Sequence, residues 1–209
     1  MKITMTNVLI LGASGNIAKL VATQINKQVT LTQFLRTPSK LGNAVKGRVI
    51  TGDVLDEDAL QQAMAGQDIV YANLGPNPMA KMAAAVIKAA ENAQIKRLIW
   101  VATAGIYNEI AKDGRTQAEA IYGKADDPNS YFGDERRGAD IIDQSTIVTT
   151  IIRPNALTND SAVQEVVING RNEQLQGHPI SRATVANFIS QLILNPDQYL
   201  NDSIAISKK

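Results

Sequence analysis

Residues 7–18 read Asn-Val-Leu-Ile-Leu-Gly-Ala-Ser-Gly-Asn-Ile-Ala, and this stretch decides the fold of the 209-residue chain. Its first five residues form a short apolar run typical of a buried strand, and an amphipathic helix begins inside the glycine turn that follows. Gly12 permits a tight turn, Gly15 lets the backbone approach a pyrophosphate, and Ala18 lets the helix pack closely on the sheet. The stretch therefore predicts a dinucleotide-binding turn, with phosphates at the helix N-terminus.

Strand-like and helical patterns alternate along most of the chain. Apolar residues at helical spacing follow the first turn and recur over residues 59–64, between Asp56 as a start signal and Gly66 as a stop signal. A third helix is expected to begin at Asn77 and Pro78, a capping residue followed by proline at the first helical position. Strands separated by helices indicate an α/β fold, here a Rossmann-type doubly wound parallel sheet. Its six strands are predicted over residues 7–11, 29–35, 48–50, 68–72, 97–102 and 146–152.

The alternation weakens in the C-terminal part of the chain. Residues 165–168 and 173–176 are predicted to form a small hairpin around Asn169-Gly170. Ser181 is expected to cap a further amphipathic helix, and residues 203–207 are expected to add a last strand.

The whole chain, residues 1–209, is expected to form a single domain. Its small C-terminal extension, residues 155–180, is predicted to lie on the substrate side of the sheet. The polar stretch 108–130 is the best candidate for a mobile loop. These two segments are expected to build the substrate pocket.

Composition excludes several classes of function. The chain has 21 Lys plus Arg against 20 Asp plus Glu, a formal charge of +1, so no large field attracts nucleic acid or anionic lipid. It has no cysteine and a single histidine, His178, so no disulfide, thiolate nucleophile or metal centre is expected. The apolar run before Gly12 is too short for a signal peptide or a membrane span, which predicts a cytoplasmic protein.

The residues after the second predicted strand bear on which dinucleotide binds. NAD sites place an acid there on the ribose 2′-hydroxyl, whereas an arginine suits the 2′-phosphate of NADP. Residues 29–40 contain no Asp or Glu. The strand ends at Arg36, and Thr37 and Lys40 follow it. NADP(H) is therefore predicted in preference to NAD(H), although the same cations also fit a solvated surface.

Taken together, these motifs resemble a known group. The chain is similar to the atypical short-chain dehydrogenases/reductases of the NmrA-like, NAD(P)H-binding type, which are related to NADH-flavin reductases and flavin/biliverdin reductases. The likeness spans essentially the whole chain and rests on residues 12–18, Arg36, and residues 52–54, 72–75, 101–103 and 152–155.

The resemblance implies a cofactor site along the carboxyl ends of successive strands. Asp53 and Val54 would contact the adenine, residues 73–75 would line the ribose and phosphate path, and Pro154 with Asn155 would flank the nicotinamide. Such residues are also common loop formers. The predicted cofactor-binding residues are Gly12, Ser14, Gly15, Asn16, Ile17, Arg36, Thr37, Asp53, Val54, Ala72, Asn73, Leu74, Gly75, Pro154 and Asn155.

The helix that carries the catalytic pair in conventional members departs from their pattern. They use Ser, Tyr and Lys, with the last two spaced Tyr-x-x-x-Lys, but residues 130–137 read Ser-Tyr-Phe-Gly-Asp-Glu-Arg-Arg. By position, Thr103 replaces the serine, Arg136 replaces the lysine as the cation over the nicotinamide ribose, and Tyr131 lies one residue out of register. These three are the predicted catalytic residues, although Tyr131 also fits a packed border residue and Arg136 a solvated helix face.

The absence of the Tyr-x-x-x-Lys pair narrows the choice of reaction. A positioned proton donor contributes about 10²–10⁴-fold in rate, so its loss would cripple reduction of an ordinary ketone. Reduction of a flavin or quinone would be slowed less, because the reduced form is comparatively stable and water or Thr103 can supply the proton. The leading hypothesis is NADPH-dependent hydride transfer to a small planar redox acceptor. A non-catalytic NADP(H)-binding sensor is the alternative, a sugar-nucleotide epimerase or dehydratase ranks last, and no heptad pattern predicts an oligomeric state.

Overall fold

A mostly parallel sheet with helices on both faces forms the body of the protein. The computed structural model describes residues 5–209. The strands are β1 (Asn7–Leu11), β2 (Thr30–Leu35), β3 (Arg48–Thr51), β4 (Ile69–Ala72), β5 (Arg97–Val101), β6 (Thr149–Pro154), β7 (Leu157–Thr158), β8 (Val166–Asn169), β9 (Ile180–Ser181) and β10 (Asp202–Lys208). The helices are α1 (Asn16–Ile25), α2 (Glu57–Met64), α3 (Met79–Asn92), α4 (Lys112–Tyr122), α5 (Tyr131–Asp143) and α6 (Arg182–Leu194), with a 3₁₀ segment at Pro38–Ala44.

The strand order of the main sheet is β3-β2-β1-β4-β5-β6-β10-β8, and β7 pairs separately with β9. Neighbours in the main sheet run parallel except β10 and β8, which run antiparallel. The chain winds outward in both directions from the junction of β1 and β4. Ligands of such sheets bind outside the carboxyl ends of the strands at this switch point. The order confirms the predicted Rossmann-type doubly wound fold.

Alternate residues of β1 supply the two halves of the core. Leu9 and Leu11 belong to the apolar cluster formed with α2, α3 and α5, whereas Val8 and Ile10 belong to the cluster formed with α1 and α6. All four side chains are fully buried, as expected for a parallel strand covered by helices on both faces. No helix within residues 5–209 is long and apolar enough to cross a membrane.

Two helix starts follow the local sequence signals. The Asp56 carboxylate accepts a hydrogen bond from the Ala59 N–H at 3.1 Å, and the Ser181 hydroxyl accepts one from the Thr184 N–H at 3.0 Å. Each side chain satisfies a backbone donor that the first turn leaves without a helical partner. The predicted starts of α2 and α6 are confirmed.

The start of α3 corrects the predicted cap. Pro78 stands before the first helical residue, Met79, rather than inside the helix, and it carries no capping group. Asp134, in the first turn of α5, supplies the cap instead. Its carboxylate accepts hydrogen bonds from the Met79 N–H at 2.7 Å and from the Ala80 N–H at 3.2 Å. This group lies 55 residues away along the chain, so the local sequence could not reveal it.

Three segments of the C-terminal half also differ from the predictions. The predicted hairpin is wrong, because β8 pairs with β10 and residues 173–176 form no strand. The predicted loop 108–130 contains α4, which buries none of its side chains and so shows no clear apolar stripe. The sixth strand starts later than predicted, at Thr149, and extends to Pro154. The predicted last strand is confirmed as part of β10.

Candidate functional site

A cleft of about 400 Å³ lies at the carboxyl ends of β1 to β4, on both sides of the switch point. Four separate turns, one after each of these strands, contribute to its wall. Ten of the predicted cofactor-binding residues meet there: Gly12, Ser14, Gly15, Arg36, Thr37, Asp53, Val54, Asn73, Leu74 and Gly75.

The glycine turn packs directly on the end of β4. Gly12 has a φ of +71°, and a Cβ atom on it would lie 2.2 Å from the carbonyl oxygen of Asn73. A Cβ atom on Gly15 would lie 2.2 Å from Asn73 Nδ2. The hydroxyl of the buried Tyr71 donates a hydrogen bond to Asn73 Oδ1 at 3.0 Å and holds this side chain in place. Protein packing therefore requires both glycines, in addition to any approach of a ligand.

The N-terminus of α1 begins at the wall of the cleft. Gly15 occupies its capping position, and no side chain caps this end within the described residues. Backbone N–H groups at such an end attract anions, phosphates above all. The side chain of Ile17 is buried in the core and that of Asn16 is exposed outside the cleft. Ile17 can therefore act on a phosphate only through its backbone N–H.

Cations stand where β2 ends. Arg36, Thr37 and Lys40 line the cleft, opposite Asp53 and its neighbours after β3. The Arg36 side chain is 76% exposed, and its Nη1 is 3.8 Å from Asp53 Oδ2. Such a long, exposed ion pair is weak, so Arg36 can turn toward a phosphate at little cost. The Asp53 carboxylate also accepts a hydrogen bond from the Leu55 N–H, which fixes the turn after β3.

Nine further residues line the cleft that were not among the predicted cofactor-binding residues. Lys40 follows Arg36 in one polar run, which is a usable signal, whereas Phe34 and Met82 show only the spacing of core residues. The segment after β4 has the composition of a helix start, so its sequence does not indicate that it lines the cleft. The nine are Phe34, Leu35, Lys40, Gly52, Leu55, Pro76, Asn77, Pro78 and Met82.

Three predicted residues lie at the carboxyl ends of β5 and β6, outside this cleft. The N–H groups on either side of Thr103 donate to carbonyl oxygens of β6, that of Ala104 to Pro154 at 3.0 Å. Thr103 therefore lies beside Pro154. Asn155 is tied to β10, since its Nδ2 donates to Ser207 Oγ at 3.1 Å. Ala72, also predicted as a cofactor contact, is buried at the end of β4.

Two successive turns of α5 place a tyrosine and a carboxyl group on the same side of the helix. Tyr131 is half-buried, with its ring centroid 5.5 Å from that of Tyr122. Glu135, one turn later, is buried. Burial raises the pKa of the Tyr131 hydroxyl, and the neighbouring Glu135 raises it further. Tyr131 therefore has a glutamate at the spacing at which conventional members carry lysine.

Arg136 points to a different side of α5. Five residues along an α-helix amount to about 140° of rotation, so Arg136 and Tyr131 diverge. The Arg136 guanidinium lies 5.7 Å from the ring centroid of Tyr107, and its Nε is 3.6 Å from Asp140 Oδ2. The structure does not bring this predicted cation beside Tyr131.

Tyr107 lies at the centre of a cluster of charged side chains beside α5. The guanidinium groups of Arg153 and Arg171 lie 5.1 and 4.6 Å from its ring centroid. Arg153 is fully buried and forms an ion pair with the buried Glu109. Burial lowers the pKa of Arg153, and Glu109 opposes that effect. Arg171 pairs with Asp143 at 2.9 Å. These pairings make the cluster a stabilised structural unit rather than a free cationic site.

Comparison with known proteins identifies the family. The sequence pattern that defines the NAD(P)H-binding family matches residues 12–196. The chain belongs to this family, and its resemblance to the atypical short-chain dehydrogenases/reductases is confirmed. None of the functionally curated proteins matches the chain.

Solved structures share the fold over almost the whole chain. A Rossmann-fold NAD(P)-binding family protein from Shigella flexneri is 35% identical, with a TM-score of 0.81, over 98% of this chain and 94% of its own. A short-chain dehydrogenase/reductase from Veillonella parvula in complex with NADP is 22% identical, with a TM-score of 0.84, over 98% and 95%. ChuY, an anaerobillin reductase from Escherichia coli O157:H7, is 19% identical, with a TM-score of 0.80, over 97% of each chain. The last two resemble this chain in fold alone.

The cleft fits a dinucleotide on observations of this structure. The turn at Gly12 and Gly15 lines the cleft next to the N-terminus of α1, which no side chain caps within the described residues. Arg36 and Lys40 stand at the end of β2, where the adenosine ribose lies in such folds. The protein is thus an NAD(P)H-binding protein with a reductase-like fold.

Proposed function

We propose that the protein is an NADPH-dependent reductase that transfers hydride to a planar acceptor such as a flavin or quinone. One observation carries the choice of acceptor: Tyr131 is paired with Glu135, not with a lysine. A lysine would lower the pKa of the tyrosine, whereas Glu135 and burial raise it. Since Tyr131 is then a weaker acid than its counterpart in the lysine pair, the site suits an acceptor that is already electrophilic and depends less on a strong proton donor.

The chain's own residues would bind and orient the two reactants. The glycine turn and the N-terminus of α1 would hold the pyrophosphate, and Arg36 with Thr37 would hold the 2′-phosphate. When bound, the nicotinamide supplies the hydride. Thr103, Pro154 and the first turn of α5 would border the acceptor, and residues 155–180 would cover it from the C-terminal side. Holding the acceptor flat at this edge supplies the proximity on which the reaction depends.

Oxidation of NADPH by the purified protein tests the proposal. The absorbance of NADPH should fall faster with FMN, riboflavin or a simple quinone than without an acceptor. The same assay with NADH measures cofactor preference. Tight NADPH binding by calorimetry, without turnover of any of these acceptors, would replace the reductase with a non-catalytic sensor.

Arg36→Gln is expected to weaken NADPH binding about 10- to 100-fold while NADH binding changes little. A hydrogen bond to a charged group contributes about 1.5–3 kcal/mol, and only NADPH offers the 2′-phosphate. Calorimetric titration with both dinucleotides measures the two dissociation constants. Arg48→Gln, at the exposed amino end of β3, is the matched control and should change neither. Equal weakening of NADPH and NADH by Arg36→Gln would show that Arg36 does not read the 2′-phosphate.

A further inference from the structure

Glu135 is a buried acid with one unsatisfied carboxylate oxygen. Its side chain is 4% exposed, and its Oε2 atom has no hydrogen-bond partner among the described residues. Other buried carboxylates of this protein are satisfied: Glu109 pairs with Arg153, and Asp134 caps α3. An ionised carboxylate buried without a partner is strongly unfavourable, so the folded protein favours the protonated form of Glu135.

The position of Glu135 links it to the cleft. Asp134 binds the first N–H groups of α3, whose preceding residue Pro78 lines the cleft. A Cβ atom on Gly138 would lie 3.3 Å from the backbone of Met79, so the first turn of α3 packs closely on the middle of α5. Glu135 stands between Asp134 and Gly138 on α5 and one turn from Tyr131. A Cβ atom on Gly105, in the loop after β5, would lie 2.8 Å from the Phe132 ring, so the first turn of α5 lies next to that loop as well as to the start of α3.

The charged and titratable groups around Glu135 agree with this protonated state. Burial raises the pKa of Glu135 to about 8, and the nearby Asp134 raises it as well, whereas the Tyr131 hydroxyl opposes the shift by donating a hydrogen bond. Tyr122, on α4, faces Tyr131 and raises the pKa of that hydroxyl in turn. Glu135 therefore exchanges its proton close to neutral pH.

We propose that Glu135 supplies, through the Tyr131 hydroxyl, the proton that accompanies hydride transfer to the acceptor. The inference rests on the proposed reductase function. The nicotinamide, when bound, would supply two electrons and one hydrogen nucleus to the acceptor as hydride. The Tyr131 O–H bond breaks as its proton passes to the acceptor, and the Glu135 O–H bond breaks as its proton passes to the Tyr131 oxygen. Tyr131 ends neutral, and the Glu135 carboxylate regains a proton from water.

This relay assigns different roles to the two residues. Tyr131 touches the acceptor and is the catalytic residue, whereas Glu135 acts through it and is a positioning and proton-holding residue. In the conventional pair, a lysine makes the tyrosine itself acidic. Here the acidic group lies one helical turn further inside, and the tyrosine conducts the proton.

The protonated carboxyl group can be observed without turnover. Infrared spectra of the protein alone, recorded from pH 6 to 10, should show a protonated-carboxyl carbonyl band that disappears with a midpoint near pH 8. The band should be missing from Glu135→Gln and present in Glu57→Gln, which changes an exposed carboxyl group of α2. Absence of the band from the unsubstituted protein, or its persistence in Glu135→Gln, would overturn the proposal.

Kinetics then test the use of the proton. With a flavin or quinone that turns over, kcat should fall as pH rises through about 8, since Glu135 loses its proton. Glu135→Gln and Tyr131→Phe should each lower kcat about 10²-fold, the lower end of the effect of a positioned proton donor. Glu135→Gln should also lose the fall near pH 8, while KM for NADPH and the behaviour of Glu57→Gln stay unchanged.

The outcomes separate the two hypotheses. An unchanged kcat and pH profile in Glu135→Gln, with turnover intact, would overturn the relay and leave the reductase function standing. Lack of turnover with every acceptor, with the infrared band still present, would overturn the reductase function and the relay together. Folding of the variant is checked by its denaturation profile. Because folding raises the pKa of Glu135, its contribution to stability is present below the ordinary carboxyl range and is lost as pH rises through about 8.

Discussion

Gly12→Ala is expected to abolish tight NADPH binding and to lower the free energy of unfolding by about 2–5 kcal/mol. A positive φ is unfavourable for any residue with a Cβ atom, and Gly12 has a φ of +71°. In addition, the new methyl group would lie 2.2 Å from the backbone oxygen of Asn73. That oxygen cannot move aside as a flexible side chain would, so the turn must separate from the end of β4. The cradle for the pyrophosphate would then be lost.

Gly66→Ala is the matched control for this substitution. Gly66 has a φ of +72°, nearly the same as Gly12, but a Cβ atom on it would meet nothing within 4 Å. Gly66→Ala should lower the free energy of unfolding only through its unfavourable φ, by about 1–2 kcal/mol, and should leave NADPH binding unchanged. Urea denaturation and NADPH titration of both variants separate the two effects. Equal losses of stability in the two variants would show that contact with Asn73 does not constrain the turn.

Glu109→Gln is expected to lower the free energy of unfolding by about 3–5 kcal/mol, because it leaves the Arg153 charge buried without its partner. Arg153 is fully buried, and its remaining hydrogen bonds go to Ser203 and Gly170, which are neutral groups. Glu109 Oε2 also accepts from the Tyr107 N–H at 2.9 Å, so the loop after β5 would loosen too. Urea denaturation at neutral pH measures the loss.

An exposed ion pair provides the comparison. Glu165→Gln removes the partner of Lys209, where both side chains are largely exposed, and should change stability by less than about 1 kcal/mol. Replacing both members of the buried pair, Glu109→Leu with Arg153→Met, should recover most of the loss, since no charge then stays buried. A loss of under 1 kcal/mol in Glu109→Gln would mean that Arg153 finds another route to charge compensation.

The fold could be predicted from the sequence where its signals are local. The strand, glycine turn and helix of residues 7–18 form one continuous unit, and the caps at Asp56 and Ser181 bond to residues three positions away. The features that were predicted wrongly depend on residues far apart in the sequence. Asp134 caps a helix from 55 residues away, and the strand partner of β8 is β10 rather than its sequence neighbour.

The candidate site shows the same division. Ten cleft residues could be predicted because each follows the carboxyl end of a strand, where loops of parallel sheets converge. The packing of Asn73 under both glycines could not, since it depends on the neighbouring strand. Glu135 is an ordinary helical glutamate in the sequence, and only its burial beside Tyr131 sets it apart.

The cap that Asp134 provides for α3 also connects two parts of the proposed reductase. It binds the helix that forms one wall of the cleft to the helix that carries Tyr131 and Glu135. A shift of α3 on nucleotide binding would therefore be transmitted to the first turn of α5. Coupling between two binding events is reciprocal, so the proposed acceptor would in turn affect the affinity for the nucleotide. One carboxylate thus offers the proposed reductase a direct mechanical link between its two ligands.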